Sequence, residues 1–404
     1  MNAHRFGHGV LVVLPAYVLA LAIIPAITQL RDGPGVGGWW PVWDPSGLVD
    51  LEVYQRTGAL VASGQPFTGV SGLPWIYPPF AGLLAVPLSW VPFGALAAAW
   101  TALNVMLLAA IIRRFDLHGW RLSVALFAAV LVAEPVRETI GYGQLGIVIV
   151  ALVVLDGLPG PRYFRTRLLP HGWLTGLATA VKLTPAVIAV ADFFAGRRKA
   201  AWTAFGTFVV ATVIGTIALP QASLAYWLAL LHGDTGTNFS LQYYTNQSVV
   251  GALTRLGRAV PHSGVVALVL CVFVVVAGVV AAVGMSRIGQ PALGICLAGI
   301  ASLIGSPIAW SHHYVWVVPL TLALLGATGL PRWFRGYGLA YSVWVIAGAW
   351  RLLPHAGGVE FSYAWWQHAV DDLGIVAGIV LLVLGVVVTR AEFRRPVVTT
   401  IPTP

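Results

Sequence analysis

Residues 264–284 read GVVALVLCVFVVVAGVVAAVG, an apolar run without a charged side chain. An α-helix needs about 20 such residues to cross the hydrocarbon core of a lipid bilayer. Similar segments recur along the chain, near 10–29, 77–90, 93–112, 121–134, 144–157, 172–194, 200–219, 291–305, 314–330, 336–350 and 372–389. The sequence therefore predicts an all-α, polytopic transmembrane protein with about twelve membrane segments, and we expect 1–404 to form a single integral membrane domain.

The overall composition excludes a soluble protein. Hydrophobic residues make up 58% of the 404 residues and charged residues only 9%, whereas a soluble domain carries about 25% charged residues. The formal net charge is +9, but the basic residues cluster in short loops between apolar segments, as membrane topology requires. We therefore expect membrane lipids as partners and no nucleic acid.

Basic residues orient the C-terminal half of the chain, because cytoplasmic loops carry an excess of Lys and Arg. Such residues stand at the N-terminus and at 197–199, 287, 332–335 and 390–395. The intervening loops are predicted to lie outside: 31–76, 220–262, 306–313 and 351–371. The first outside loop, 31–76, and the second, 220–262, are long and rich in aromatic residues and amides.

The topology of 77–194 stays open at this stage. Five simple crossings satisfy the count, but they place the basic residues of 162–167 outside, against the charge rule. Half-helices that turn back inside the membrane would avoid this conflict. Gly176, Lys182 and Pro185 are suited to break the last helix of this region.

A short amphipathic helix is predicted in the first outside loop. Leu51, Tyr54, Gly58 and Val61 follow one another at spacings of three, four and three, which makes one apolar stripe suited to the membrane surface. Asp50 stands at or just before the start of this helix. Its carboxylate fits two interpretations, an N-cap or a functional acid at the mouth of a membrane cavity.

Two adjacent histidines, His312 and His313, follow Trp310 in a short outside loop. Neighbouring helical residues point about 100° apart and no H-x-x-x-H or C-x-x-C pattern is present, so we predict no metal site. A contact with a phosphate is one interpretation and interfacial decoration is the other. We prefer the phosphate contact, because two histidines beside aromatic residues on so short a loop are unusual.

Lys182 interrupts an otherwise apolar run. A charge at such a position costs about 2.5 kcal/mol or more on insertion scales and marks a functional site by default. Snorkelling to the interface is the alternative, but Lys182 lies deep in its segment. Polar insertions at 134–144 and 243–248 carry amides and hydroxyls that suit either sugar hydroxyls or the capping of helix ends.

Six motifs, in order, resemble glycosyltransferase family 87, whose members are polyprenyl-phosphate-sugar-dependent transferases of the GT-C fold. The matching residues are Asp50-Leu-Glu-Val-Tyr54, Tyr77-Pro-Pro-Phe80, Gly143-Gln144, Gly176 through Lys182 to Pro185, Asn246-Gln247-Ser248 with Gly251 and Arg255, and Ser306-Pro-x-x-Trp310-x-His312-His313. No single motif is specific, but together they cover residues 50 to about 314.

The resemblance implies polyprenyl-phosphate-mannose as donor, a mannosylated glycolipid as acceptor, an inverting α-1,2 transfer and no cofactor or metal. It implies a bacterial plasma membrane enzyme whose active site faces outward. Asp50 is then the general base, assisted by His312 or His313. The donor- and acceptor-binding residues are then Tyr54, Tyr77, Gln144, Lys182, Asn246, Gln247, Arg255 and Trp310, among which Lys182 or Arg255 meets the donor phosphate.

Three alternatives remain at this stage. An arabinofuranosyltransferase of the same family would use polyprenyl-phosphate-arabinose, although the Asn-Gln-Ser and Trp-x-His-His features favour mannose. A transporter or lipid flippase would also have many spans and a buried cation, and such proteins often contain two related halves. We find no convincing repeat between 1–200 and 200–404. A non-catalytic assembly subunit is the third alternative.

Overall fold

The computed structural model describes residues 13–18, 48–68, 73–160, 168–234, 236, 241–257, 263–355 and 357–390. Within these ranges the regular elements are helices: α1 (Val49–Ala62), α2 (Pro79–Ala85), α3 (Phe93–Ile112), α4 (Gly119–Val132), α5 (Glu134–Tyr142), α6 (Gly146–Gly157), α7 (Trp173–Val181), α8 (Ala186–Phe194), α9 (Arg198–Ala218), α10 (Pro220–Leu231), α11 (Val249–Arg255), α12 (Ser263–Arg287), α13 (Pro291–Ile304), α14 (Val317–Gly326), α15 (Arg332–Ala347) and α16 (Trp365–Thr389). The 3₁₀-helices are Val86–Trp90, Arg113–Phe115, Ser311–Trp316, Ala349–Leu352 and Val359–Ser362.

Some sequence predictions concern residues that the structure does not describe. These are most of the first predicted segment 10–29, residues 31–47 and 69–72 of the first outside loop, residues 235, 237–240 and 258–262 of the second, the basic residues 162–167, the basic residues at the N-terminus, and Arg394 and Arg395. Residues 13–18 within the first segment are helical.

In the part of the chain that the structure describes, four helices are long and apolar enough to cross a membrane: Phe93–Phe115, Arg198–Ala218, Gly264–Arg287 and Trp365–Thr389. The consecutive helices α4 and α5 pass the same test as a pair but are bent by 76°. The prediction of an all-α polytopic membrane protein is therefore confirmed. The number of membrane segments stays a prediction, because several predicted segments, such as Gly146–Gly157 and Pro291–Ile304, are shorter helices.

Small residues bring the long helices close together. A Cβ atom on Gly278 of α12 would lie 2.1 Å from the Cβ of Ala301 on α13, and one on Gly284 would lie 2.1 Å from Oγ1 of Thr389 on α16. Helix pairs in membranes associate through such close backbone approach, since lipid provides no hydrophobic drive between them. The helices α12, α13 and α16 thus form a tightly packed frame.

The segment 172–194 is broken at the predicted place, but whether its two helices turn back inside the membrane stays a prediction. Helix α7 ends at Val181, Lys182 is extended (φ −148°, ψ 125°), and α8 starts after Pro185. Gly176 is not part of the break. It lies inside α7, where a Cβ atom would be 2.3 Å from the carbonyl oxygen of Ala204.

The predicted amphipathic helix exists as α1, but its apolar stripe faces protein. Leu51, Tyr54 and Gly58 are buried, and a Cβ atom on Gly58 would lie 2.2 Å from the carbonyl oxygen of Ala85 at the end of α2. The N-cap interpretation of Asp50 is wrong. Leu48, two residues before Asp50, occupies the N-cap position, so Asp50 lies within the first turn of the helix.

Candidate active site

Four chain segments that are far apart in sequence meet around Asp50. They are the first turn of α1, the turn after α5, the break between α7 and α8, and the 3₁₀-helix Ser311–Trp316. Each contributes one or two polar side chains to an otherwise apolar surrounding. Such a group of buried titratable residues is the usual mark of a functional site.

The turn after α5 sets the position of Asp50. Gly143 has a left-handed backbone (φ +69°), and a Cβ atom on it would lie 2.6 Å from the Cβ of Leu51. Only glycine therefore allows the end of α5 to pack on the first turn of α1. This contact brings the side chain of Gln144 into hydrogen-bonding contact with Asp50.

Two tyrosines complete the surroundings of Gln144. The hydroxyls of Tyr54 and Tyr77 donate hydrogen bonds to its Oε1 atom, at 2.9 and 3.0 Å, and they lie 2.9 Å from each other. With Oε1 fixed as acceptor, the amide nitrogen of Gln144 is the atom available to donate to the carboxylate of Asp50. The predicted residues Tyr54, Tyr77 and Gln144 thus form one network around the predicted base.

Burial raises the pKa of Asp50 from its ordinary value of 3.8 to about 6, and the hydrogen bond from Gln144 and the charge of Lys182 offset part of this effect. A carboxylate with such a pKa is deprotonated in most molecules at neutral pH, yet it binds a proton more readily than an exposed aspartate. This balance suits a general base that works near neutrality.

Lys182 lies at the C-terminal end of α7, where the helix dipole favours a cation. Its Nζ atom donates a hydrogen bond of 2.7 Å to Nε2 of His313 and lies 5.6 Å from the centre of the Tyr77 ring. The carboxylate of Asp50 is close enough to interact with it electrostatically. The snorkelling interpretation of Lys182 does not apply, because its ammonium group is engaged by His313.

Both histidines are buried, with 7% of His312 and 5% of His313 exposed, which makes interfacial decoration wrong. Their rings are 4.5 Å apart at 86°. Thr139 of α5 donates a 2.6 Å hydrogen bond to the carbonyl oxygen of His312 and so holds the turn. Burial, followed by the charge of Lys182, lowers the pKa of each imidazole, so both rings are neutral at pH 7. Within the described ranges, Nε2 of His312 has no hydrogen-bond partner.

Comparison with known proteins identifies the family. The model for glycosyltransferase family 87 matches residues 75–307, which is more than half of the chain. The chain belongs to glycosyltransferase family 87. As a member of this family it is a membrane glycosyltransferase, so the transporter and non-catalytic interpretations are set aside.

Relatives resemble this family 87 enzyme over most of its length. A polyprenol-phosphate-mannose-dependent alpha-(1-2)-phosphatidylinositol mannoside mannosyltransferase of Mycobacterium tuberculosis is 30% identical, over 82% of this chain and 84% of the relative. Its counterpart from Mycolicibacterium smegmatis is also 30% identical, over 87% and 89%. A pentamannoside mannosyltransferase of Mycobacterium tuberculosis is 31% identical, over 78% and 76%. No solved structure matches.

Asn246 and Gln247, two of the predicted binding residues of the family 87 enzyme, lie in a network next to this site. Oδ1 of Asn246 accepts a hydrogen bond from the backbone of Ala309 at 3.0 Å, and the segment pairs with Trp310 in an isolated antiparallel bridge. Nε2 of Gln247 donates to Oδ1 of Asp371 at 3.0 Å. These amides thus hold the loop before α11 against the loop that leads to the histidines.

Arg255 is also engaged inside the protein. Its guanidinium pairs with Asp371 at 2.9 Å and with Asp372 at 2.5 Å, and it donates to the carbonyl oxygen of Asn246 at 3.1 Å. The side chain is fully buried. Of the two cations predicted to meet the donor phosphate, Lys182 is the one that lies beside Asp50.

Sequence reasoning missed a third network. Arg351 pairs with Glu134 at 2.6 Å and with Glu138 at 2.5 Å, and Ser311 donates to Glu134 at 2.7 Å. The polar stretch 134–144 was a usable signal, but its sequence suggested amides and hydroxyls for a sugar. The partner arginine lies 217 residues away from Glu134, so local patterns could not reveal the pair.

Proposed function

We propose that this chain transfers mannose from polyprenyl-phosphate-mannose to a mannosylated glycolipid of the phosphatidylinositol mannoside or lipomannan type. The new linkage is α-1,2 and forms with inversion. The names of the relatives, which agree in donor, linkage and class of acceptor, support this assignment. The observation that carries the proposed chemistry is that Asp50 and Lys182 share one buried site, where Lys182 contacts His313 and the ring of Tyr77 and lies close enough to Asp50 for their charges to interact.

Asp50 acts as the general base in this proposal. Its carboxylate accepts the proton of the acceptor hydroxyl while that oxygen forms a bond to the anomeric carbon of the mannose. The bond from that carbon to the phosphate oxygen breaks on the opposite face, and this in-line displacement inverts the configuration. General-base assistance of this kind contributes about 10²–10⁴-fold to the rate.

Lys182 stabilises the leaving phosphate. Negative charge grows on the phosphate as the glycosidic bond breaks, and a fixed cation in a site of low dielectric lowers the energy of this transition state. The hydrogen bond to His313 directs the ammonium group. Because Nε2 of His313 accepts that bond, its ring proton resides on Nδ1.

His312 is the histidine that contacts the donor phosphate. Its Nε2 atom is buried and unpartnered within the described part of the chain, and a neutral imidazole with a proton on that nitrogen donates a hydrogen bond to a phosphate oxygen. At His313, Lys182 occupies Nε2, while Nδ1 is unpartnered within the described residues; we assign this residue to orienting the ammonium group, because that contact is already formed. In this proposal His313 orients the ammonium group of Lys182, and His312 binds the donor phosphate.

The remaining predicted residues fall into two groups. Tyr54, Tyr77 and Gln144 hold the carboxylate of Asp50, as their hydrogen bonds suggest. Trp310 is half-buried and has Tyr243 6.3 Å away, edge to face, which offers an aromatic surface for a sugar ring. We propose that Asn246, Gln247 and Arg255 hold the loops that carry this aromatic surface and do not contact substrate directly.

We place the enzyme in the bacterial plasma membrane with this site facing outward. The basic residues near 197–199, 287 and 332–335 favour the inner side. The loops opposite them, which include the histidines of 306–313, then face the outer side. A lipid-linked phosphate sugar presented at the outer leaflet would reach Lys182 without crossing the membrane.

Reconstitution tests the assignment. The purified protein in lipid nanodiscs is incubated with polyprenyl-phosphate-mannose and a series of phosphatidylinositol mannosides, and products are read by mass spectrometry and by digestion with an α-1,2-mannosidase. We expect one added hexose that the mannosidase removes. Transfer from polyprenyl-phosphate-arabinose but not from the mannose donor would overturn the proposal and support the arabinofuranosyl alternative.

A further inference from the structure

The ionic cluster of Glu134, Glu138 and Arg351 lies directly beside the histidine turn. Oε1 of Glu134 receives both Nε of Arg351 at 2.6 Å and the hydroxyl of Ser311 at 2.7 Å. The second nitrogen of the guanidinium pairs with Glu138 at 2.5 Å. The two carboxylate side chains are at most 5% exposed and that of the arginine 8%.

Stability alone does not account for this cluster. Removing each ion from water costs several kcal/mol, and well-packed apolar residues in the place of a buried ion pair are often equally or more stable. An arginine instead provides a fixed orientation, because the donors of its planar guanidinium group bind two carboxylates at once. Both carboxylates belong to α5, so the guanidinium fixes the position and rotation of that helix.

Helix α5 contacts two parts of the candidate active site, the histidine turn and the first turn of α1, which carries Asp50. On one side Thr139 donates to the carbonyl oxygen of His312 at 2.6 Å. At its C-terminal end, Gly143 packs on Leu51, next to Asp50, at the contact described above. A shift of α5 would therefore change the distance between the base and the phosphate-binding histidine.

We propose that Arg351 is a positioning residue, which clamps Glu134 and Glu138 and thereby fixes helix α5 between Asp50 and His312. This inference rests on the proposed function, because it assigns His312 to the donor phosphate and Asp50 to the acceptor. Arg351 itself touches neither substrate. It acts on the reaction through the two residues that do.

The test is Arg351→Lys, which keeps the charge but replaces the two-pronged contact with a single flexible ammonium. We expect kcat to fall at least about tenfold, because the in-line geometry is lost. The KM for polyprenyl-phosphate-mannose should change less than kcat does, since Lys182 keeps its place at the donor phosphate and only the contact of His312 shifts. The pH profile of kcat should keep its shape, because the base is unchanged.

Arg197→Lys is the matched control. Arg197 pairs with Asp192 at the C-terminal end of α8, the end remote from Lys182, so the substitution repeats the same chemical change away from the site. Folded fraction and melting temperature are measured on all preparations. A kcat of the Arg351→Lys enzyme within threefold of the parent, or a loss of activity that only follows the loss of folded protein, would overturn the inference.

Asp50→Asn, assayed in parallel, separates the inference from the proposed function. If Asp50→Asn retains turnover, the proposed base is wrong whatever Arg351→Lys does. If Asp50→Asn is inactive and Arg351→Lys is fully active, the function stands and only the positioning role fails.

Discussion

The close contact between Gly143 and Leu51 allows a sharp test of the site geometry. In Gly143→Ala the new Cβ atom would lie 2.6 Å from the Cβ of Leu51 and 3.3 Å from its backbone nitrogen. Carbon atoms in contact are separated by about 3.5–4.0 Å. The first turn of α1, which carries Asp50, must therefore move by about 1 Å.

The energetic cost has two parts. The left-handed backbone at φ +69° costs a residue with a side chain about 1–2 kcal/mol, and forcing a methyl group into packed surroundings costs about 1–3 kcal/mol more. The catalytic effect is larger, because a displacement of about 1 Å between reacting groups can lower the rate about 100-fold. We expect Gly143→Ala to fold, to bind donor, and to lose about two orders of magnitude in kcat.

Gly64→Ala is the control for this experiment. Gly64 has a similar backbone (φ +66°), but a Cβ atom there meets nothing within 4 Å. Both variants should melt at lower temperature for the same conformational reason, and only Gly143→Ala should lose turnover. The argument is refuted if Gly143→Ala keeps kcat within threefold of the parent, or if Gly64→Ala loses as much as Gly143→Ala.

Three further predictions concern the base, the cation and the topology. Asp50→Asn should lose at least about 100-fold in kcat, and at pH 7 it should be more stable than the parent by about 1–3 kcal/mol; normal turnover would refute its role. In the parent, kcat should rise with pH through about 6, the pKa of Asp50. In Lys182→Met the pH midpoint of kcat should move higher, because the charge of Lys182 lowers the pKa of Asp50, and the KM for donor should increase. Lys199→Met is the control and should change neither quantity. An impermeant maleimide should label Ser362→Cys and not Thr328→Cys in intact cells, and the opposite pattern would invert the proposed orientation.

The sign of the stability change follows from the direction of the pKa shift. Burial raises the pKa of Asp50 from 3.8 in the unfolded chain to about 6 in the folded protein. Between these values the folded state binds more protons, so the stability of the parent falls as pH rises from about 4 to about 6 and then stays low. Asparagine removes the buried charge and with it this dependence, so stability against pH, measured for both proteins, checks the assignment.

The sequence allowed correct prediction of features whose signal is local. A charge inside an apolar run identified Lys182, and a proline three residues later indicated the break that brings it to the site. A stripe with helical spacing predicted α1. Hydropathy and periodicity report the surroundings of one segment, so they succeed wherever a single segment decides the outcome.

Features that depend on two distant segments were not predictable. Arg255 was predicted to bind the donor phosphate, and nothing near it in sequence indicated Asp371 and Asp372, which neutralise it. Glu134 and Arg351 each stand in a segment that appears ordinary by itself. Asp50 was equally suited to an N-cap, because the exact start of a helix is set by one backbone turn that spacing does not fix.

The bend of 76° between α4 and α5 has a consequence for the lipid environment. Membrane-crossing helices adjust to a thinner or thicker bilayer by changing their tilt. Because α5 turns away from α4 and is held by Arg351 through Glu134 and Glu138, we expect its position between Asp50 and His312 to follow its contacts inside the protein and not the tilt of α4. We therefore expect the distance between the proton acceptor and the phosphate-binding histidine to depend little on the thickness of the surrounding bilayer.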